Sequence, residues 1–172
     1  MTQPNESTEP RVSRPFIEDG YGIPDHLEGV LDWSWARERL VGAPIYWVAS
    51  VTPDGRPHVT PIWGVWVDEA FWMEGGPRTR RFRNLAANPA TVVTVERGND
   101  AIILEGDADL VTDLDDALAE RLLSAYRKYI PTHGYQAELS NWADGIWRVR
   151  PRKVMAWSDF PADTTKWTFD DD

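Results

Sequence analysis

The sequence contains no cysteine, and this absence excludes disulfide bridges, zinc–thiolate centres and thiol nucleophiles. It also has no run of about 18 apolar residues, which excludes a transmembrane helix of ordinary length. The first twenty residues are polar and lack the apolar stretch of a signal peptide. We therefore expect a cytoplasmic protein.

Positive charge is scarce as well, since the formal net charge of the chain is −10. Such an excess of acid disfavours nucleic acids and anionic membranes as general partners. Lysine occurs only at positions 128, 153 and 166, so arginine supplies most of the positive charge. A small anionic ligand can still bind where arginines cluster locally.

Length and composition indicate one domain, because 172 residues of which 42% are hydrophobic can bury a single core. We expect a disordered tail at residues 1–20, where the side chains offer little to bury. The folded domain is expected at residues 21–169, and an acidic tail at residues 170–172.

Short strands separated by turns dominate the expected domain. Strands are predicted at residues 45–51, 58–67, 70–74, 91–96, 101–110, 147–149 and 154–157. Helices are predicted at residues 32–40, 78–87 and 114–130. Gly106 predicts a bulge, and Thr112 with Asp115 resembles a capping box at a helix start. This pattern is typical of an antiparallel barrel or sandwich and argues against a Rossmann fold.

The strongest local signal is the segment at residues 75–89, in which four arginines fall within residues 78–83. They follow a Gly-Gly-Pro break and open a predicted helix. Free N–H groups at a helix start and the forked guanidinium groups of arginine both suit a phosphate. The alternative is a solvated turn whose arginines pair with nearby acids.

A second signal lies in the predicted strand at residues 57–63. Pro57 and Pro61 each remove a main-chain donor, which is typical of an irregular edge strand. Main-chain groups of Thr60 and Ile62 would then be free to bind a ligand. The alternatives are an ordinary edge strand and, for His58, a surface or structural role.

Other chemistry finds no support in the sequence. The motifs of zinc proteases, serine hydrolases, dinucleotide-binding proteins and P-loop proteins are absent. His26, His58 and His133 are too scattered to predict a metal site. The acid pair Asp115 and Asp116 is explained by a helix start. We therefore assign no catalytic residue and no metal.

Four short motifs together resemble the pyridoxamine 5′-phosphate oxidase-like superfamily of flavin and deazaflavin oxidoreductases. They are TPDGRPH at residues 52–58, TPIW at residues 60–63, RNL at residues 83–85 and NP at residues 88–89. The segments at residues 148–157 and 165–169 resemble the closing strand and tail of that superfamily. The resemblance covers about residues 28–169.

This resemblance implies a mainly β protein with helices, namely a six-stranded antiparallel Greek-key split β-barrel of the FMN-binding type. It also implies a homodimer with two cofactor sites at the interface. The cofactor would be coenzyme F420, a deazaflavin, or FMN. The F420 hypothesis is favoured because the arginine-rich turn and a pocket of flat aromatic residues resemble the deazaflavin-using branch.

The resemblance further implies which residues contact the cofactor. The second and third strands would run beside the ring, which places residues 60–63 near it. The basic turn would hold the phosphate, and lysine is common at the position of Arg81. A tryptophan of the partner subunit, Trp157 or Trp167, would close the pocket. The candidate cofactor-binding residues are His58, Thr60, Pro61, Ile62, Trp63, Thr79, Arg80, Arg81, Arg83, Asn84 and Trp157.

We therefore expect an oxidoreductase in which the cofactor carries a hydride to or from a small organic substrate. A non-catalytic flavin- or haem-binding protein on the same barrel is an alternative. Pyridoxamine phosphate oxidase is a lesser alternative, because no set of Arg, Ser and His near the end suits its substrate phosphate. An acidic protein-interaction domain without a small-molecule site would bind no cofactor.

Overall fold

The computed structural model describes residues 9–97 and 99–169. Gly98 of the expected turn, the acidic tail at residues 170–172 and residues 1–8 of the expected N-terminal tail lie outside the described residues. The strands are β1 (Arg11–Ser13), β2 (Tyr46–Val51), β3 (Pro57–Ile62), β4 (Val65–Val67), β5 (Ala70–Met73), β6 (Ala90–Arg97), β7 (Asp100–Val111), β8 (Ile146–Trp157) and β9 (Thr165–Thr168). The α-helices are α1 (Trp33–Gly42), α2 (Arg80–Ala87), α3 (Asp116–Tyr126) and α4 (Ile130–His133).

The strands form one antiparallel sheet that does not close on itself. Its hydrogen-bonded order is β1-β9-β8-β7-β6-β2-β3, while β5 branches off β8 and carries β4 on its other edge. The long strand β8 makes this branch possible, because its first half pairs with β5 and its second half with β9. No ladder joins β3 to β4 among the described residues. The predicted split β-barrel is therefore confirmed, with nine strands described where six were expected.

Local sequence explains two sharp features of the sheet. Asp68 and Glu69 both adopt positive φ angles, 51° and 55°, and reverse the chain between β4 and β5. The register of β7 against β8 shifts at Gly106, which confirms the predicted bulge. A Cβ atom at Gly106 would lie 2.1 Å from the main-chain oxygen of Arg150, so only glycine fits there.

Two apolar cores hold the helices to the sheet. The larger core lies between the curved sheet, α1 and α2, and includes Leu40, Phe71 and Leu104. The smaller core joins β4 and β5 to α3 and includes Trp72 and Leu122. Large aromatic rings fill much of both cores, which explains the high tryptophan content. No helix in the described part of the chain is long and apolar enough to cross a membrane.

The N-terminal segment differs from the expected disordered tail, because residues 11–13 form β1 along β9. The Arg14 side chain holds this segment in place by donating hydrogen bonds to four main-chain oxygens. These acceptors belong to His26 (2.9 Å), Glu28 (2.6 Å), Ala162 (2.9 Å) and Thr164 (2.9 Å). Main-chain pairing with β9 and the Arg14 hydrogen bonds fix this segment. Neither interaction depends on apolar side chains, which are what a sequence pattern would reveal.

Three further expectations need correction. Asp115, not Thr112, caps α3, since its carboxylate accepts from the Leu118 N–H at 2.7 Å. The expected strand at residues 58–67 is split into β3 and β4. The segments expected at residues 147–149 and 154–157 belong to one strand, because the bulge opposite Gly106 accommodates Pro151.

Lys128 ties the segment after α3 to the end of α1. Its ammonium group donates to the main-chain oxygens of Ala43 at 2.8 Å and Val41 at 3.2 Å, and to the Tyr46 hydroxyl at 2.9 Å. The Tyr46 hydroxyl in turn donates to the main-chain oxygen of Leu40. No carboxylate pairs with Lys128 in the described chain, and burial lowers the pKa of Lys128 to about 8.

We expect the free energy of unfolding to rise between pH 8 and pH 10. The folded chain releases the Lys128 proton near pH 8, whereas the unfolded chain holds it up to about pH 10.5, so rising pH favours the folded state. The slope should reach at most about 1.4 kcal/mol per pH unit. Above pH 10 the raised pKa of Tyr46 opposes the effect. Urea unfolding of Lys128→Met should lose this rise, whereas Lys166→Met should keep it; equal slopes in both variants would contradict the assignment.

Candidate functional site

The basic turn begins with the cap of α2. The Thr79 hydroxyl accepts from the Phe82 N–H at 3.2 Å and donates to the main-chain oxygen of Gly76 at 2.9 Å. Both hydrogen-bonding functions of Thr79 therefore serve to start the helix. Within the described residues, the N–H groups of Arg80 and Arg81 have no main-chain acceptor. They remain available at the positive end of the helix dipole.

Arg81 is the half-buried member of the basic turn. Its guanidinium donates to the Thr60 hydroxyl at 3.2 Å and to the main-chain oxygen of Glu74 at 3.0 Å. Burial lowers the pKa of Arg81 from its ordinary value. Among the described residues, no carboxylate lies within 4.0 Å of this guanidinium. Arg81 thus presents a partly desolvated positive charge without an internal counter-ion.

The exposed arginines of the same turn are unpaired too. Arg78, Arg80 and Arg83 make neither a side-chain hydrogen bond nor an ion pair with any described residue. Most other arginines of this acidic chain do pair with carboxylates. The pairs include Arg37 with Glu69 (2.9 Å), Arg39 with Asp100 (2.9 Å), Arg121 with Asp68 (2.7 Å) and Arg148 with Asp109 (2.8 Å). Positive charge is therefore concentrated at the start of α2.

Strand β3 brings one predicted residue directly to this charge. His58, Thr60 and Ile62 point toward the interior side of the sheet, since they stand opposite Ser50, Val48 and Tyr46 of β2. Thr60 reaches Arg81, whereas Pro61 faces the opposite, exposed side. The Nδ1 atom of His58 is buried and has no partner within the described residues.

Trp63 follows β3 and belongs to an aromatic cluster. Its ring stacks on Tyr129 at 5.3 Å and on His133 at 4.7 Å, and Tyr135 lies 5.3 Å away. The Tyr129 hydroxyl bonds to both main-chain groups of Gly64, which holds the cluster against the sheet. Trp63 nevertheless keeps 36% of its surface exposed. Part of this fixed aromatic ring is therefore accessible to solvent.

Glu74 connects the basic turn to the aromatic cluster. Its main-chain oxygen accepts from Arg81, while its carboxylate accepts from Tyr135 at 2.7 Å and from the Trp142 indole at 2.8 Å. The carboxylate is thus turned away from Arg81 and does not neutralise it. Burial, together with the bond to Glu74, raises the pKa of Tyr135. Glu74 therefore joins the basic turn to the aromatic cluster.

Some predicted residues lie elsewhere. The Asn84 side chain is buried and donates to the Ser50 hydroxyl at 3.0 Å, so it supports α2 by linking it to β2. Trp157 lies at the opposite end of β8 from Trp147 and packs against Phe160 at 5.7 Å. Trp167 is buried in the larger core. The structure does not bring these three side chains to Arg81 within one chain.

Sequence reasoning missed Glu74, Tyr135 and Trp147. Glu74 directly precedes the Gly-Gly-Pro break, and that position was a usable signal. Tyr135 lies in a stretch for which the sequence predicts neither a helix nor a strand, and Trp147 belongs to a predicted closing strand. No periodicity connects either of them to the basic turn, because they arrive from distant parts of the chain.

Comparisons with known proteins define the fold family of this arrangement. The sequence model of the pyridoxamine 5′-phosphate oxidase family matches residues 35–158, well over half of the chain. No curated protein matches the sequence. An F420 reductase of known structure is 25% identical, covers 73% of this chain and 98% of its own, and has a TM-score of 0.54.

Two more solved structures share the fold. A FAD-binding protein from Mesorhizobium loti is 17% identical, with 81% of this chain and 96% of that chain covered and a TM-score of 0.58. The haem storage protein HutZ from Vibrio cholerae is 18% identical, with 69% and 89% covered and a TM-score of 0.53. The same split barrel therefore occurs in proteins named for different cofactors.

We expect Asn84→Ala to destabilise the protein by about 1–3 kcal/mol, because it leaves the buried Ser50 hydroxyl without its donor. Arg83→Ala is the matched control on the same helix. Arg83 is exposed and unbonded, so its removal should change stability by no more than about 0.5 kcal/mol. Urea unfolding measures both variants. Equal stability of the two would show that Asn84 does not support the helix.

Proposed function

The chain belongs to the pyridoxamine 5′-phosphate oxidase family, and on that basis we propose that it is an oxidoreductase using a flavin-type cofactor. The cofactor would be coenzyme F420 or FMN, and the substrate a small organic molecule. When bound, such a cofactor supplies the hydride transfer, while the protein orients the reactants. The observation that carries the proposal is the half-buried guanidinium of Arg81, which has no carboxylate partner among the described residues.

The residues of the basic turn fit a phosphate. Arg81 can turn one edge of its guanidinium to an oxyanion while it stays anchored by Thr60 or Glu74. Arg80 and Arg83 add charge from the exposed side of α2, and the first N–H groups of the helix add donors. In this proposal Thr79 acts through the helix start, and Asn84 through its support of α2.

The strand next to Arg81 fits a planar ring. Trp63 lies three positions after Thr60, so their main chains are about 10 Å apart if extended. A ribityl-type chain is of comparable length, and it would connect a phosphate at Arg81 to a ring beside Trp63. The Ile62 side chain, the Trp63 ring and the main chain of Pro61 would then line the cofactor ring, and His58 would lie at the phosphate end of the strand.

We favour F420 over FMN for two reasons. The four arginines of the turn carry more positive charge than is required to neutralise one monophosphate. In addition, an F420 reductase shares the fold. The alternative of cofactor binding without turnover is supported by the haem storage protein on the same barrel. Pyridoxamine phosphate oxidation is a weaker proposal, because no substrate-phosphate set was found near the C-terminus.

We also propose a homodimer that uses the outer face of the sheet. Hydrogen-bonded register puts five side chains of this face in one row across five strands: Pro61, Trp47, Thr94, Ile103 and Met155. Trp47 is 40% exposed and the neighbouring Val59 is 56% exposed. A second copy would cover this apolar row, and its Trp157 could then approach the cofactor of the first chain.

Arg81→Ala should weaken the binding of FMN or F420 by about tenfold to a hundredfold, because it removes charge-assisted hydrogen bonds to the phosphate. Arg81→Lys should be intermediate, since it keeps the charge but loses the fork. Arg127→Ala is the matched control, because Arg127 is exposed, lies outside the turn and makes no side-chain hydrogen bond or ion pair with the residues that the structure describes. Equilibrium dialysis measures the affinities. Unchanged affinity in Arg81→Ala, or equal loss in Arg127→Ala, would contradict a phosphate at this site.

Turnover is tested with the wild-type protein in a separate experiment. Reduced F420 is mixed with the protein and a panel of enones and quinones, and cofactor reoxidation is followed by absorbance. Reoxidation supports the oxidoreductase. Tight binding without reoxidation would support the non-catalytic binder, and a Soret band after haem addition would identify the haem-binding alternative.

Trp47→Glu should convert the dimer to a monomer, because it places a charge at the large exposed aromatic residue of this row. Light scattering after gel filtration should give twice the chain mass of 19.6 kDa for the wild type. Val41→Glu is the control, since Val41 is 49% exposed on α1, outside the row. A monomeric wild type would contradict the proposed dimer.

A further inference from the structure

The indole N–H of Trp147 is a buried donor without an acceptor. Trp147 is 3% exposed, and its Nε1 atom has no hydrogen-bond partner within the described residues. Its ring meets the Phe82 ring edge to face at 5.2 Å, which places it directly under α2. Buried donors are nearly always satisfied, so an unpaired one calls for a specific explanation.

The surroundings of Gly75 supply that explanation. A Cβ atom on Gly75 would lie 3.1 Å from Nη2 of Arg81 and 3.9 Å from Cδ1 of Trp147. Cδ1 is bonded directly to the unpaired Nε1 atom. The guanidinium without a counter-ion and the edge of the ring that carries the unpaired indole donor therefore both lie within 4 Å of the position that a Gly75 side chain would occupy.

Within the described residues, no group accepts from the Trp147 indole, and no carboxylate pairs with Arg81. The Glu74 carboxylate, which is nearest in sequence, already accepts from Tyr135 and Trp142. Only its main-chain oxygen faces Arg81. One oxyanion from outside the described chain would accept hydrogen bonds from both donors.

We infer that Trp147 and Arg81 together bind one oxyanion group of the ligand over Gly75. This inference rests on the proposed function, in which that group is the cofactor phosphate. Without the ligand, Nε1 of Trp147 is inaccessible to solvent, and Nη2 of Arg81 lies next to Gly75. In the inferred complex the guanidinium shifts from the Glu74 oxygen toward the anion, and the indole N–H becomes accessible to the same anion.

The direct test observes the indole N–H itself. Two-dimensional nitrogen–proton NMR of the wild-type protein resolves indole signals, and the signal that disappears in Trp147→Phe is that of Trp147. Addition of FMN or F420 should shift this signal, whereas riboflavin, which lacks the phosphate, should not. A signal that stays in place at saturating FMN and F420 would overturn the inference.

Affinity gives a second readout. Trp147→Phe keeps a ring against Phe82 but removes the donor, so FMN or F420 binding should weaken about tenfold while riboflavin binding stays unchanged. Equal weakening for riboflavin would assign Trp147 a purely structural role. If Arg81→Ala binds FMN and F420 as the wild type does, the proposed function fails. If Arg81→Ala weakens binding but Trp147→Phe does not, only this inference fails.

Gly75→Ala tests the inferred anion position from the side of the main chain. The added methyl group would lie 3.1 Å from Nη2 of Arg81 and would push the guanidinium away from the position in which it binds the anion, so FMN or F420 binding should weaken at least tenfold. Gly76→Ala is the matched control, because a Cβ atom there meets nothing within 4 Å. Equal affinities of the two variants would overturn the inference.

Discussion

The Arg81 guanidinium bridges the open side of the barrel. It hydrogen-bonds to Thr60 on β3 and to the main chain of Glu74 after β5, and no β-ladder joins these two strands in the described chain. The bridge needs the cap of α2, which sets where the helix begins, and it needs Gly75, which leaves room for the guanidinium. A partly buried charge is costly without a counter-ion, so this constraint favours an anionic ligand at the seam.

The charge distribution of the rest of the chain sharpens that constraint. Across β7 and β8, basic and acidic side chains face one another, for example Lys153 and Glu105 at 2.8 Å. Such pairs cancel locally and contribute little to stability when exposed. Within the described residues, the arginines of the basic turn form no close ion pair with a carboxylate, although Arg80 interacts electrostatically with Asp54. A chain of net charge −10 therefore carries one concentrated positive region, where the local field favours anions over cations.

Much of the fold follows from the sequence because local chemistry sets it. The alternation of strands and turns predicted the antiparallel barrel, and Gly106 predicted the bulge, since each signal acts over a few neighbouring residues. Strand β1 and the continuity of β8 were not predictable in this way. Main-chain pairing orders β1, and the bulge that accommodates Pro151 is defined by a strand distant in sequence.

The sequence by itself determined that four arginines follow a Gly-Gly-Pro break at a helix start, because both features are contiguous along the chain. Only the tertiary structure decided which arginine is half-buried, that Asn84 supports the helix by linking it to β2, and that Glu74 and Trp147 stand beside the guanidinium. These neighbours come from α2, the end of β5 and the start of β8. Burial and hydrogen-bond partners across such distances depend on packing, which no local pattern of residues encodes.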